Sequence, residues 1–263
     1  MSRISVLHYI KLIFRSCLFL AALAVYVVNR VQNAEYIFVD ARHRSFILFL
    51  VWVVFVVEMI LRFFPSRFES MGCQKQFKQN FKPTSAPKAE TKVTSNQSIL
   101  WVALFWIVLN GGIGALYYTG LIDEGILVLI SLFYSVCDMI CILFFCPFQT
   151  WIMKNKCCTG CRIYNWDYAM MFTPLVFVKD IFAWSILFFA VVLLVRWELV
   201  AYLHPERFSE RENACLSCAN CQEKLCHHKK QLQLFWKANK KTYVNTKKRN
   251  GLPELTNRIV VVY

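Results

Sequence analysis

The sequence predicts an all-α fold, a polytopic membrane helix bundle that ends in a short basic tail rich in cysteine. Three observations carry that prediction. Of 263 residues, 57% are hydrophobic and 17% charged, with a mean hydropathy of +0.43, whereas a soluble domain is about a quarter charged. Apolar runs occupy residues 12–28, 46–64, 99–118 and 125–145, close to the roughly 20 residues of helix that cross a hydrocarbon core. The charge is also one-signed, 30 Lys and Arg against 16 Asp and Glu for a net +14, and membrane proteins keep such an excess on the cytoplasmic side. A soluble globular domain is excluded.

Arg3, Lys11 and Arg15 stand at the start of the first run in the manner of a signal peptide. No small-residue cleavage site follows, and Tyr26, Asn29 and Arg30 close the run, so it reads as an anchoring helix. With the second run it makes a first hairpin over residues 1–64. Residues 65–98 are polar, carry Arg67, Lys75, Lys78, Lys82, Lys88 and Lys92 against Glu69 and Glu90, and read as a flexible cytoplasmic loop. The connection at 120–124 is short and acidic, with Asp123 and Glu124, and suits the outer side. Residues 163–203 are too long for one helix and are interrupted by Lys179 and Asp180. The expected split is a short helix over 163–178, bent at Pro174, and a return helix over 181–203, giving a bundle at 99–203 and six spans in all. Five spans are the alternative. They would export the tail at 204–263, whose twelve Lys and Arg face five acids, against the charge rule. The reading is therefore a multi-pass protein of the plasma (inner) membrane with both termini cytoplasmic.

Twelve cysteines are present. Cys215, Cys218, Cys221 and Cys226 form a C-x2-C-x2-C-x4-C run, followed by His227 and His228. Soft thiolates at such spacing select an iron–sulfur cluster, in the first place 4Fe-4S, or zinc. Cytoplasmic thiols stay reduced, which disfavours disulfides. Cys157, Cys158 and Cys161, with Cys146 before Pro147, offer a second metal site or join the first in the loop at 146–162. Adjacent cysteines diverge, so no more than two of the three are expected at one centre. Cys137 and Cys141 lie one helical turn apart beside Asp138, where cysteine equally serves as a small core hydrophobe. Cys17 and Cys73 receive no role.

Ionisable groups within spans are costly and mark candidate intramembrane sites: Glu58, Asp138 and Asp167. Glu58 precedes Arg62 by one turn and reads as half of an interfacial ion pair. Asp167, among the aromatics of Tyr164-Asn165-Trp166-Asp167-Tyr168, reads as a helix cap or a partner of Arg162. Asn110, Gly111, Gly112 and Gly114 permit close helix approach. No histidine lies in the apolar middle of a span, which disfavours a haem, and no nucleotide-binding or hydrolase motif occurs. Lys240-Lys241 and Lys247-Lys248-Arg249 suit anionic lipid headgroups rather than nucleic acid. The β-rich end at 259–263 suits an edge strand of a partner.

Cys157-Cys158-Thr159-Gly160-Cys161-Arg162-Ile163-Tyr164-Asn165-Trp166-Asp167, then His204-Pro205-Glu206-Arg207-Phe208, then the tail cysteines resemble a group of uncharacterised cysteine-rich multi-spanning membrane proteins of anaerobic Gram-positive bacteria. The resemblance covers about the last half of the chain and brings no activity. It implies that both cysteine groups and the Asn-Trp-Asp form one unit, in cells that tolerate oxygen-sensitive clusters. Three functions are consistent with these residues. The first is a membrane iron–sulfur protein exchanging electrons with a redox partner protein or a quinone. The others are a soft-metal transporter or sensor using Cys146, Cys141, Cys137 and Asp138, and a zinc-folded membrane anchor that recruits a partner.

Overall fold

The computed structural model describes residues 3–31, 41–65, 75–84, 96–153, 161–209 and 211–217, all within the compact unit Met1–Lys224. Among them every regular element is helical, and the one strand-like feature is an isolated bridge between Pro83 and Asn213. The long helices are α1 (Arg3–Val31), α2 (Ala41–Leu61), α3 (Asn96–Tyr118) and α4 (Glu124–Leu143). A short α5 (Asp167–Phe172) precedes the long α6 (Ile181–Leu203). Four of these, over Val6–Val28, Gln97–Tyr118, Glu124–Leu143 and Ile181–Leu203, are long and apolar enough to cross a membrane, and α2 adds a shorter apolar stretch, Val51–Leu61.

The helices end where the sequence supplies caps. Asp123 accepts from Ile126 N at 2.9 Å and starts α4, and Asp180 accepts from Phe182 N and Ala183 N to start α6. The tight corner between α3 and α4 turns at Gly120, whose φ of 74° is a left-handed conformation open to glycine.

α1 and α4 run antiparallel. Tyr9 meets Phe144 at one end, and the Tyr26 hydroxyl donates to Asp123 at the other. α2 and α6 run parallel, joined by Trp52 Nε1 donating to Ser185 Oγ toward their starts and Arg196 donating to the Phe63 carbonyl toward their ends. The face at which α1 starts is called the near face below. It also holds the ends of α2, α4 and α6 and the start of α3.

Between α4 and α6 the chain does not form the single Pro174-bent helix expected over 163–178. It is 3-10 over Arg162–Trp166, α-helical over α5, and 3-10 again over Thr173–Phe177, with Pro174 opening the last piece where its missing N–H costs nothing. This segment starts at the near face, where Cys161 and Ile163 pack with Ile99 and Val102 at the beginning of α3. It ends at the opposite face, where Phe177 lies against Tyr117 and Tyr118. Its Tyr168, Met171, Phe172, Leu175 and Val178 are the centre of the core, enclosed by Phe55 and Met59 of α2, Leu127 and Leu132 of α4, and Ala183, Ile186, Ala190, Leu193 and Trp197 along one stripe of α6.

The outward surface is the inverse of a soluble protein's. Leu100, Ile107 and Val108 of α3 are each about two-thirds exposed, as is Phe188 of α6. A surface of this kind is solvated by lipid. The protein is a membrane protein by this criterion.

Candidate functional site

Charged side chains gather at the near-face end of the bundle. Arg15 lies twelve residues into α1, about 18 Å along it, and is 2% exposed. Its guanidinium forks to two carboxylates, Glu58 Oε2 at 2.7 Å and Asp138 Oδ2 at 3.1 Å, and also donates to the Ser135 carbonyl at 3.1 Å. Phe55 lies under its plane at 5.5 Å. Glu58 further accepts from the Tyr168 hydroxyl at 2.9 Å and pairs with Lys11 at 3.4 Å. One arginine therefore links α1, α2 and α4, and through Glu58 also reaches α5.

A second arginine repeats the arrangement one turn nearer the surface. Arg62, 2% exposed, binds both oxygens of Asp167, at 2.6 and 2.7 Å, and stacks over Tyr168 at 4.5 Å. Planar, permanently charged guanidinium suits this bidentate grip on a carboxylate, which lysine would not reproduce. Glu198 of α6 receives Arg162 and, at 2.7 Å, Trp166 Nε1.

Two sequence expectations are thereby corrected. Glu58 pairs with Arg15 and Lys11 rather than with Arg62, and Asp167 holds Arg62 while Arg162 goes to Glu198. Helix-turn spacing suggested the local Glu58–Arg62 pair, but the deeper Arg15 has no water to turn to and draws both nearby carboxylates. Asp138 is thus an ion-pair member.

Beside this network, residues 75–84 form a strap. Composition predicts a flexible loop here, yet Gln76 is fully buried and accepts from Asn165 Nδ2 at 2.8 Å. Asn213, also fully buried, donates from Nδ2 to the carbonyls of Lys75 and Arg207 at 3.0 and 2.9 Å, while its Oδ1 accepts from Cys215 N at 3.1 Å. Thr84 N donates to Glu212 O and Ala214 N to Lys82 O. The beginning of the tail is fastened to the strap, and the strap to the Asn165 segment.

Of the predicted metal ligands, Cys146, Cys161 and Cys215 fall among the described residues, and Cys157, Cys158, Cys218, Cys221 and Cys226 lie outside them. Cys215 is half-buried with Sγ 3.2 Å from the Asn80 carbonyl. Cys161 is buried in the small apolar cluster with Ile99, Val102, Met153 and Ile163. Cys146 Sγ accepts from Gln149 N at 3.4 Å and is hydrogen-bonded by Cys141. All three lie at the near face, but among the described residues no group of three or more His, Cys, Asp and Glu could hold a metal ion. His227 and His228, the basic runs and the β-rich end lie outside the described residues.

Of the small residues in α3, Gly114 alone makes a close approach, to the ring of Phe177, while Gly111 and Gly112 face open space. Arg15 and the strap are the features that sequence reasoning missed. An arginine twelve residues into an apolar helix was itself a signal of a buried anionic partner. Nothing in the strap's sequence signals docking.

Comparison with protein-family models, with curated proteins and with solved structures finds no match for this chain.

Proposed function

We propose that this chain crosses the cytoplasmic membrane six times, with both termini inside, and presents a thiolate metal site at its cytoplasmic face. The iron–sulfur reading is retained as the first.

Six passes are supported by the length of the broken segment. Ten residues of 3-10 helix and six of α-helix rise about 29 Å, whereas sixteen residues of pure α-helix would rise about 24 Å; the hydrocarbon core is about 30 Å thick. Charge agrees. With this path the described cations on the far side are Arg30, Arg42, Arg44 and Lys179, accompanied by Asp123, Glu124 and Asp180. Among the described residues, Lys11, Lys75, Lys78, Lys82, Arg162, Arg207 and Arg211 belong to the near-face side, and that excess makes the near face cytoplasmic.

The observation that carries the metal reading is the Asn213 clamp. It holds Cys215, the first of the C-x2-C-x2-C-x4-C run, against the strap on the face that also bears Cys146 and Cys161. Cys215, Cys218, Cys221 and Cys226 would hold the cluster, with Cys146, Cys157, Cys158 and Cys161 as the second donor set. A bound cluster would supply one-electron chemistry next to the bilayer, within reach of a membrane quinone or a soluble redox protein. A transport path through Asp138 has less support, because that carboxylate is paired with Arg15. The zinc-folded anchor is the second reading, favoured by the structural use of the same clamp.

The test is purification in detergent without oxygen of wild type and Cys218→Ser. Iron with acid-labile sulfide and a broad band near about 400 nm, lost in the variant, is expected. Colourless protein with one tightly held zinc selects the anchor, and protein with neither metal overturns both. A reporter fused at Tyr263 is expected to remain cytoplasmic, and an exported reporter would overturn the six-pass path.

A further inference from the structure

A groove of about 660 Å³ opens on the outside of the bundle between the end of α2, the strap and the middle of α6. It falls within the roughly 300–1,000 Å³ of ligand sites. Its walls are Ile60, Phe63 and Phe64 from the α2 side and Phe188, Phe189 and Val192 from α6. Phe64 and Phe188 are each more than 60% exposed, so the groove is open laterally to whatever surrounds the helices. Its polar lining residues are Lys78 and Gln79 of the strap and Arg196 of α6, and among the described residues no acidic side chain lines it.

The depth matches one leaflet. Phe188 lies fifteen residues before the end of α6, about 22 Å along the helix, and Arg196 lies seven residues before it, about 10 Å. Arg196 is fixed in place by donating to the Phe63 carbonyl at 2.6 Å and by stacking on Phe63 at 5.0 Å. Exposed Lys78 stands beyond it, on the near face. An apolar trough running from mid-bilayer to two cations at the surface has the shape and polarity of a phospholipid: acyl chain below, phosphate above.

We infer that this groove is a specific site for an anionic diacyl phospholipid of the near-face leaflet. Its phosphate sits between Lys78 and Arg196, and one acyl chain lies along Phe63, Phe64, Phe188 and Val192. Charge complementarity selects the occupant, since a zwitterionic lipid gains little from two cations and a neutral isoprenoid gains nothing. The inference depends on the membrane assignment and is independent of any metal.

Native mass spectrometry of the full-length protein, titrated with phosphatidylglycerol and with phosphatidylcholine of the same chains, tests it. The wild type is expected to retain one phosphatidylglycerol in preference to phosphatidylcholine. Lys78→Gln, on an exposed side chain of the strap, is expected to weaken phosphatidylglycerol alone by about fivefold, the worth of one charge near a membrane surface. Val192→Trp fills the trough and is expected to weaken both lipids, while Leu100→Trp, on the exposed side of α3 away from the groove, is expected to change neither. Equal retention of the two lipids by the wild type would overturn the inference, as would a Leu100→Trp effect as large as that of Val192→Trp. A neutral isoprenoid that co-purifies, is displaced by Val192→Trp and ignores Lys78→Gln would overturn it in favour of a quinone.

Discussion

Replacing Arg15 with methionine removes a cation that pairs with two carboxylates, Glu58 and Asp138. The cost can be worked from who remains. Glu58 keeps Lys11 at 3.4 Å and the Tyr168 hydroxyl at 2.9 Å, so its charge stays compensated. Asp138 loses the 3.1 Å pair with Arg15, which is its hydrogen bond among the described residues, and the Ser135 carbonyl loses a donor. Stranding one buried charge costs about 3–5 kcal/mol, and that is the expectation for Arg15→Met. Asp138→Asn alone keeps the 2.7 Å bond between Arg15 and Glu58 and should cost only about 1–2 kcal/mol. If the damage in Arg15→Met is the stranded charge, adding Asp138→Asn to it should recover much of the loss. The double variant would then be more stable than the sum of the singles by about 2 kcal/mol or more. Reversible unfolding in mixed detergent, followed by tryptophan fluorescence and run as a double-mutant cycle, measures this. Additive losses, or an Arg15→Met cost below about 1 kcal/mol, would refute the claim that Arg15 is the buried counter-ion of Asp138.

Two further expectations follow from contacts. A Cβ at Gly114 would strike the ring of Phe177, which Tyr117 and Tyr118 hold at centroid distances of 6.4 and 5.9 Å, so Gly114→Ala should cost about 1–3 kcal/mol and be eased by a second change, Phe177→Leu. Gly111→Ala, with open space around it, should stay within about 1 kcal/mol of wild type; the same unfolding measurement serves both. Asn213→Ala leaves the Lys75 and Arg207 carbonyls without their donor at a cost of about 1–3 kcal/mol. Hydrogen exchange should then rise across residues 75–84 while the cores of α3 and α6 keep their protection, and unchanged exchange in the strap would rule out the clamp.

Composition alone made the long helices legible. A run of about 20 apolar residues such as α3 is long enough to cross a membrane whatever its neighbours are, so no knowledge of tertiary contacts is needed to recognise it. The course of residues 162–177 was legible in outline only, from the charge of the tail and the Lys179–Asp180 break. Its 3-10 pieces were not, since hydrogen-bond register leaves no mark on composition. The ion pairs were misread for a definite reason. Sequence displays neighbours on one helix, such as Glu58 and Arg62, but the partners actually used come from other helices, and which helices adjoin is a property of the fold. The strap was hidden for a related reason. Gln76 is buried against the Asn165 amide and Asn213 against the Lys75 and Arg207 carbonyls, and a polar residue satisfied by tertiary bonds looks in sequence like one satisfied by water.

The arginine pairs and the broken segment are one solution to one problem. Sixteen residues that change between 3-10 and α-helix leave backbone groups less well satisfied than a continuous helix does, and on the proposed six-pass path such backbone is tolerated only inside protein. The sequence of this segment agrees with enclosure, because Asn165, Asp167 and Thr173 are too polar to face lipid yet each finds a partner: Gln76, Arg62 and Trp106 Nε1. Enclosure then requires that the neighbours not drift apart. Arg62 ties the segment to α2, Glu198 ties its Arg162 and Trp166 to α6, and Tyr168 ties it through Glu58 and Arg15 to α1 and α4. Each bond is expensive to break because each leaves a charge or a polar group in a dry place. Hydrophobic force between helices is weak in a bilayer, where lipid is as apolar as leucine. Polar ties at the near-face end therefore do what an apolar core does in water, and they rigidify the end of the bundle on which Cys146, Cys161, Cys215 and the strap are mounted.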